Sequence, residues 1–384
     1  MQGGVRKRGK RWYYYFDAGT INGKRKKIER VGGDTKVEAL KALREAIMKY
    51  ERGYVEPEKM AVEEYLDDWV ENYIKENRKI NTYNRYRGLI DRNIIPNIGS
   101  ILLKDLRSIH VETMFLEEKK KSISNSSLEN IYVVINSALN RAVRLQLIYD
   151  NPCKYIERPK RDKFVANVLT VEEFYYILNS LNTEKYNDYI FSLALQIVLE
   201  LGLRRGELAG LEWDNVDFKN NTIEIKNNLI VSNGKVYLDT PKTEESERTL
   251  YISDNLKKLL KKHKSIQNEH KLRYGQYYQK NIFNGRKCDF IMTWEDGKYI
   301  QPNYYSHRFR KILKKLNFDK PVRFHDLRHT NATLLLSQGV DFKVIQTRLG
   351  HSDINTTLNI YSHVNMEMQK DATKKLNKIL HGSK

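Results

Sequence analysis

The spacing of apolar residues changes twice along this chain of 384 residues, and those two changes constrain its fold more than any other feature. Residues 1–58 read as strand, strand, strand, helix. Residues 10–17 form an aromatic run, Asn22-Gly23 supplies the positive φ angles of a two-residue hairpin, residues 24–30 form a basic return strand, and a helical repeat covers 36–50. From 61 to about 160 the period becomes that of helices, predicted at 62–75, 81–94 (ending before Pro96), 111–120 and 127–147. Ser126 and Glu129 stand at capping-box spacing at the start of the last helix, and Asn151-Pro152 closes it. Residues 154–163 are polar and contain Pro159, which marks a connection between domains. From 167 onward the pattern is mixed. Helices are predicted at 170–181 and 188–202, strands around the turns Asn233-Gly234 and Asp296-Gly297, and helices again from 304 to the end. No internal repeat is visible. The expected fold is therefore multidomain and mainly α with small β elements: a three-stranded sheet plus helix (1–58), a four-helix bundle (61–157), a linker (158–166) and an α+β domain (167–384).

Charge narrows the partner. Lys and Arg number 68 against 48 Asp and Glu, a net charge of +20. With 40% hydrophobic residues the chain can build real cores, so the surplus sits on folded surfaces and calls for a polyanion, with nucleic acid favoured over an acidic membrane. Ten of the basic residues fall within the first thirty positions, against Asp17 and Glu29 alone. A basic sheet face carrying Trp12, Tyr13, Tyr14 and Tyr15 is suited to a DNA groove, with a solvated basic hairpin as the plainer reading. The longest apolar stretch, 189–203, is broken by Gln196 and Glu200 and falls short of the roughly 20 residues a bilayer requires. No apolar leader follows Met1, so a cytoplasmic location is expected. Cys153 and Cys288 lack metal-site or disulfide spacing and read as reduced packing residues. The run Gly19 to Arg25 resembles a phosphate loop but lacks a spacer residue, the terminal Ser or Thr, and a following helix.

Four blocks in the last region are rich in side chains that bind phosphate: Gly202-Leu203-Arg204-Arg205-Gly206-Glu207-Leu208; Thr240-Pro241-Lys242-Thr243 with Ser246-Glu247-Arg248-Thr249-Leu250; His325-Asp326-Leu327-Arg328-His329-Thr330; and Leu349-Gly350-His351-Ser352, ten residues before Tyr361. Tyr361 is the only tyrosine between 306 and 384 in a chain that has 25.

In this order and spacing the blocks resemble the tyrosine recombinase (lambda-integrase-like) family, and the upstream regions look like the arm-type and core-binding domains of phage and conjugative-transposon integrases. The resemblance spans essentially the whole chain. It implies a site-specific recombinase with Arg204 and Arg328 on the scissile phosphate, His325 and His351 as the two histidines, Lys242 as the hairpin lysine, and Tyr361 as the nucleophile. Only the family register selects Arg204 over the adjacent Arg205. Glu207 matches an acidic position that supports the site without taking part in the chemistry. It further implies double-stranded DNA with core-type and arm-type sites as partner, a homotetramer on DNA, an excisionase or host DNA-bending protein as accessory, a four-way junction, and neither cofactor nor metal. The tail at 364–380 is expected to pack on a neighbouring protomer, or else to close its own domain.

The residue types suit that chemistry. Attack on a phosphodiester places charge on the non-bridging oxygens, which guanidinium groups bind best in the transition state. A tyrosine of pKa about 10 needs a proton acceptor, and the departing 5′ oxygen needs an acid such as Lys242. Three rivals remain. His325 and His329 have the i, i+4 spacing of a zinc protease, but Asp326 replaces its glutamate and Arg328 would face the metal. A DNA-binding protein that has lost the reaction is a second, although all six positions hold competent residues. A lone type IB topoisomerase is the third, and it would have no need for a separate basic sheet.

Overall fold

The computed structural model describes residues 3–21, 24–51, 60–161, 167–239 and 247–350, and in the tail 370, 373–374, 376–377 and 379–382. The chain forms two compact units, Met1–Lys163 and Phe164–Lys384.

The first unit opens with β1 (Gly3–Arg8), β2 (Arg11–Ile21) and β3 (Lys24–Gly33) in an antiparallel sheet of that order, followed by α1 (Lys36–Glu51). Because side chains alternate across a strand, the aromatic run divides between the two faces. Phe16, paired with Ile28, is buried with Leu43 of α1, and Tyr14 stacks on Phe16. Tyr13 and Tyr15 lie on the other face, where Lys27 sits over the Tyr15 ring (4.8 Å) and Arg6 pairs with Glu29. The expected single face bearing all four aromatics is thereby corrected. Asn22 and Gly23 lie outside the described residues, while Ile21 and Lys24 pair on either side of them.

Next come α2 (Val62–Asp68), a π-helical stretch Trp69–Ile74 and α3 (Lys75–Asn77) in one continuous rod. A second rod runs α4 (Ile80–Leu89), π-helical Ile90–Ile94 and α5 (Ile95–Ile98). It passes through Pro96 rather than stopping before it, because the widened π turn absorbs the hydrogen bond that proline cannot donate. With α6 (Ser108–Lys120) and α7 (Asn125–Arg144), these rods bury one stripe each in a single core that includes Trp69, Ile94, Phe115 and Leu139. Cys153 is buried against this core as a free thiol.

Ser124, rather than Ser126, caps α7, accepting from the Ser127 N–H (3.2 Å). Glu129, freed from capping, binds two arginines of the expected linker: Arg158, and Arg161 through Nε (2.7 Å). Burial raises the pKa of this carboxyl, but the two guanidinium groups outweigh it and hold it ionised. Residues 158–161 are thus fastened to the bundle. In a Glu129→Gln variant, trypsin cleavage after Lys160 should accelerate about tenfold, since opening that segment no longer breaks a charged clamp. An unchanged cleavage rate would show that the clamp does not restrain the segment.

The second unit contains α8 (Val171–Asn179), capped by Thr170 and Glu173, then the buried α9 (Tyr186–Leu201) and the short α10 (Arg205–Ala209). Three antiparallel strands β4 (Val216–Asp217), β5 (Thr222–Ile225) and β8 (Arg248–Tyr251) make one small sheet; β6 (Asn228–Ser232) and β7 (Lys235–Asp239) make another. The turn between β6 and β7 is Asn233-Gly234, both at positive φ, and a second hairpin, β9 (Asn281–Phe283) with β10 (Arg286–Cys288), turns at Asn284-Gly285 in the same way. At Asp296-Gly297 a single bridge, Thr293 to Tyr299, replaces the expected strands: the turn closes on itself through Gly297 N–H to Trp294 O (2.9 Å). The helices α12 (Pro302–Lys315), α13 (Asp326–Ser337) and α14 (Phe342–Leu349) complete the described part.

The longest helix, α11 (Asp254–Tyr274), had no counterpart in the sequence expectations. Its buried stripe is polar as well as apolar: Leu256, Leu260, His263, Gln267 and His270. Gln267 accepts from Trp213 Nε1 (2.6 Å) and donates to Thr293 Oγ1 (2.6 Å), while His263 Nε2 lies 2.8 Å from Ile291 O. Burial, with His270 adding to it, pushes the His263 pKa from 6.5 down to about 4. The unfolded chain therefore binds the extra proton first, so stability is complete above pH 6.5 and falls as pH drops toward 4. The contribution is about 3 kcal/mol. Urea unfolding of the second unit should show that slope, and His263→Gln should flatten it. An identical slope in the variant would assign the acid sensitivity elsewhere.

Candidate active site

Two helix C-termini meet in the second unit, and arginines satisfy their last carbonyls. An α-helix leaves its final C=O groups without internal partners and carries partial negative charge there. At the end of α9, Asn331 Nδ2 donates to Leu199 O (2.7 Å), Arg348 to Glu200 O (2.9 Å) and Arg328 to Gly202 O (2.7 Å). At the end of α14, three successive carbonyls each take a different arginine. Arg248 Nε donates to Arg348 O (2.7 Å), Arg328 Nη2 to Leu349 O, and Arg204 Nη2 to Gly350 O (3.1 Å). Gly202, left-handed at φ 66°, permits the close approach: a Cβ there would stand 2.3 Å from Leu349 Cδ2.

Glu207 gathers the same arginines. It is 3% exposed and accepts from the Arg204 backbone N–H (3.0 Å), Arg204 Nη1 (2.6 Å) and Arg248 Nη2 (2.9 Å), with Arg328 Nη1 at 4.0 Å. Burial alone would raise the carboxyl, but Arg248, Arg204 and Arg328 together hold it at about 2. Among the described residues, the three guanidinium groups set against this one carboxylate sum to +2. Arg328 is 1% exposed, and burial first, then repulsion from Arg204, drives its pKa well down. Arg204 reaches the surface with 38% of its side chain exposed. Arg205 instead turns to Ser306 Oγ (3.2 Å), so the geometry brings Arg204 and not Arg205 to Arg328.

His325 stands at the rim with its ring in a T-shaped contact with His329 (5.4 Å between centroids). Loss of hydration around the ring, followed by repulsion from His329, Arg328 and Arg204, pushes its pKa down to about 4. The residue as a whole is exposed, so water screens part of this without reversing its direction. The ring is neutral at pH 7 and able to accept a proton. Asp326, buried beside it, accepts from the Arg323 backbone N–H (2.8 Å) and guanidinium, which fixes the start of α13.

Of the six residues singled out by sequence, Arg204, Arg328 and His325 come together here. Lys242, His351 and Tyr361 lie outside the described residues. Lys242 belongs to the segment between β7 and β8, and His351 follows Gly350, whose carbonyl touches Arg204. Arg248 was quoted in a block but given no role. Its signal was available: in β8 it alternates inward with Leu250, and an inward arginine on a short strand requires a buried partner. Among the described residues no group of three or more His, Cys, Asp and Glu side chains converges to hold a metal, and no helix is long and apolar enough to cross a membrane.

Residues 167–368 match the "Phage integrase family", residues 61–114 the "Phage integrase, N-terminal SAM-like domain" and residues 5–50 the "Arm DNA-binding domain". A "Tyrosine recombinase XerC-like" protein of Caldanaerobacter subterraneus subsp. tengcongensis is 29% identical over 364 residues, covering 90% of each chain. The "Integrase" of Staphylococcus phage L54a is 29% identical over 339 residues, covering 82% of this chain and 92% of its own. Among solved structures, the Tn1549 transposon integrase in complex with transposon right end DNA superposes with a TM-score of 0.70 at 23% identity, covering 83% of this chain and 99% of that one. That likeness shows the fold.

Proposed function

The chain belongs to the phage integrase family and is a tyrosine recombinase acting site-specifically on DNA, and from that premise we propose that it cleaves and rejoins the strands through a 3′-phosphotyrosine intermediate without metal or nucleotide. The observation that carries this reading is the surplus of positive charge around Glu207, where Arg204 and Arg328 converge beside a neutral histidine. A scissile phosphate supplies the missing anion. The two guanidinium groups bind its non-bridging oxygens more strongly as charge develops on them. His325 takes the proton from the Tyr361 hydroxyl, the phenolic oxygen bonds to phosphorus, and the bond from phosphorus to the 5′ oxygen breaks. Lys242 protonates the departing oxygen and His351 hydrogen-bonds the phosphate. A 5′ hydroxyl from the partner duplex then reverses the step, releasing the tyrosine and passing through a four-way junction. Because the phosphotyrosine preserves the ester bond, no external energy source is required.

The sheet of residues 1–58 binds arm-type sites at the ends of a mobile element, the bundle of 61–157 and the domain of 167–384 bind the core site, four copies assemble on DNA, and the tail at 364–380 packs on a neighbouring copy. An excisionase or a host DNA-bending protein sets direction. The density of basic residues in the first thirty positions supports this role for the sheet.

The test is a nicked attachment-core duplex incubated with the full chain in EDTA and without nucleotide. A detergent-resistant adduct should form, and protease digestion should leave the tyrosyl peptide on a 3′ phosphate. An adduct abolished by EDTA, or one attached at a 5′ end, would overturn the proposed chemistry.

A further inference from the structure

The geometry points to Arg248 as a positioning residue for strand transfer, one that aims Arg204 and Arg328 without touching the phosphate. Arg248 is 9% exposed and, among the described residues, its fork reaches two groups, donating from Nη2 to Glu207 Oε2 (2.9 Å) and from Nε to the carbonyl of Arg348 (2.7 Å). Both are shared with the phosphate-binding arginines. Glu207 is the carboxylate that holds Arg204, and Arg348 O is the first of the three successive α14 carbonyls whose next two bind Arg328 and Arg204. Arg248 itself is fixed by the backbone, since β8 pairs with β5 through Arg248 and Ile225.

One buried guanidinium thus sets the distance between Glu207 and the end of α14, the two surfaces against which the other arginines are aligned. Remove it, and Glu207 Oε2 keeps the Arg204 backbone N–H but loses its guanidinium partner, so the carboxylate turns toward the side chains of Arg204 and Arg328. Both guanidinium groups then tilt from the plane in which they meet a phosphate, and a misplacement of about 1 Å is enough to lose two orders of magnitude in rate. A lysine can replace the charge, but it lacks the rigid fork that spans a carboxylate and a carbonyl at once. Arg248 also begins the strand that follows the Lys242 segment, so the same contact fixes the point at which that segment re-enters the fold.

This inference rests on the phosphoryl-transfer reading above, and one experiment separates the two. Single-turnover adduct formation is measured with the full chain on two nicked core duplexes, one with an ordinary scissile phosphate and one with a methylphosphonate, whose methyl group removes the charge that the arginines stabilise. On the phosphate, Arg248→Ala should be slower than the native chain by on the order of a hundredfold, with DNA affinity changed less than about threefold. On the methylphosphonate the same substitution should cost less than about fivefold, because alignment of guanidinium groups on a charged oxygen no longer matters. Arg248→Lys should give the same contrast, and it supplies the measurement if the alanine variant does not fold. Equal losses on the two duplexes would make Arg248 merely structural and overturn the inference alone. No adduct with the native chain on the phosphate would overturn both readings.

Discussion

A Tyr361→Phe variant is expected to bind its attachment core as tightly as the native chain and to form no covalent adduct, a loss on the order of 10⁴-fold or more in strand cleavage. On the proposed mechanism, phenylalanine keeps the ring and removes only the oxygen that would bond to phosphorus. The other tyrosines of this domain's core are unfit for the task. Burial pushes the Tyr189 hydroxyl up to about 12 and raises Tyr186, Tyr304 and Tyr305 as well, so each is held protonated. Tyr361 comes ten residues after His351, in a stretch with no second tyrosine. Gly350, the residue before that stretch, is already in contact with Arg204. Denaturing gel analysis of the nicked duplex checks the expectation, and an adduct that persists in the variant would move the nucleophile to another residue.

What could be read in advance follows the kind of signal each part emits. The three strands were legible from the aromatic run and the Asn22-Gly23 turn, and α1 and the bundle from the helical recurrence of their apolar residues. The helix α11 was not, because core positions 263, 267 and 270 hold His, Gln and His, which count as polar until their partners on Trp213, Ile291 and Thr293 are known. The cap of α7 was displaced by two residues because Glu129 had a better use: a carboxylate can serve the helix end or the two arginines of the next segment, and charge favours the latter. At the site, Arg204, Arg328 and His325 were found through their neighbours in sequence. Arg248 was missed because its importance lies in what it spans, the carboxylate of Glu207 and the end of α14, and neither distance is written in a linear pattern.

Removing that carboxylate should have the second largest effect. Glu207→Ala leaves Arg204, Arg248 and Arg328 facing one another in a buried space with no counter-charge, and breaking a buried pair from one side costs about 3–5 kcal/mol. The electrostatics of the folded carboxyl point the same way. The folded carboxyl sits at about 2 against its usual 4.5, which corresponds to about 3 kcal/mol of stabilisation by the arginines. Because the folded value is depressed, this stabilisation is complete above pH 4.5 and is lost as pH falls toward 2. The gap in stability between the native chain and the variant should therefore be constant from neutral pH to about 4.5 and close below it, whereas the loss of stability linked to His263 lies higher, between pH 6.5 and 4. Cleavage should fall as well, by on the order of a hundredfold or more, since Arg204 loses the oxygen that orients it. An anion in the site opposes the same repulsion, so sulfate or core-site DNA should raise the melting temperature of the variant more than that of the native chain. A variant as stable as the native chain at pH 7, or one indifferent to added anion, would show that the three arginines do not depend on Glu207 for their placement.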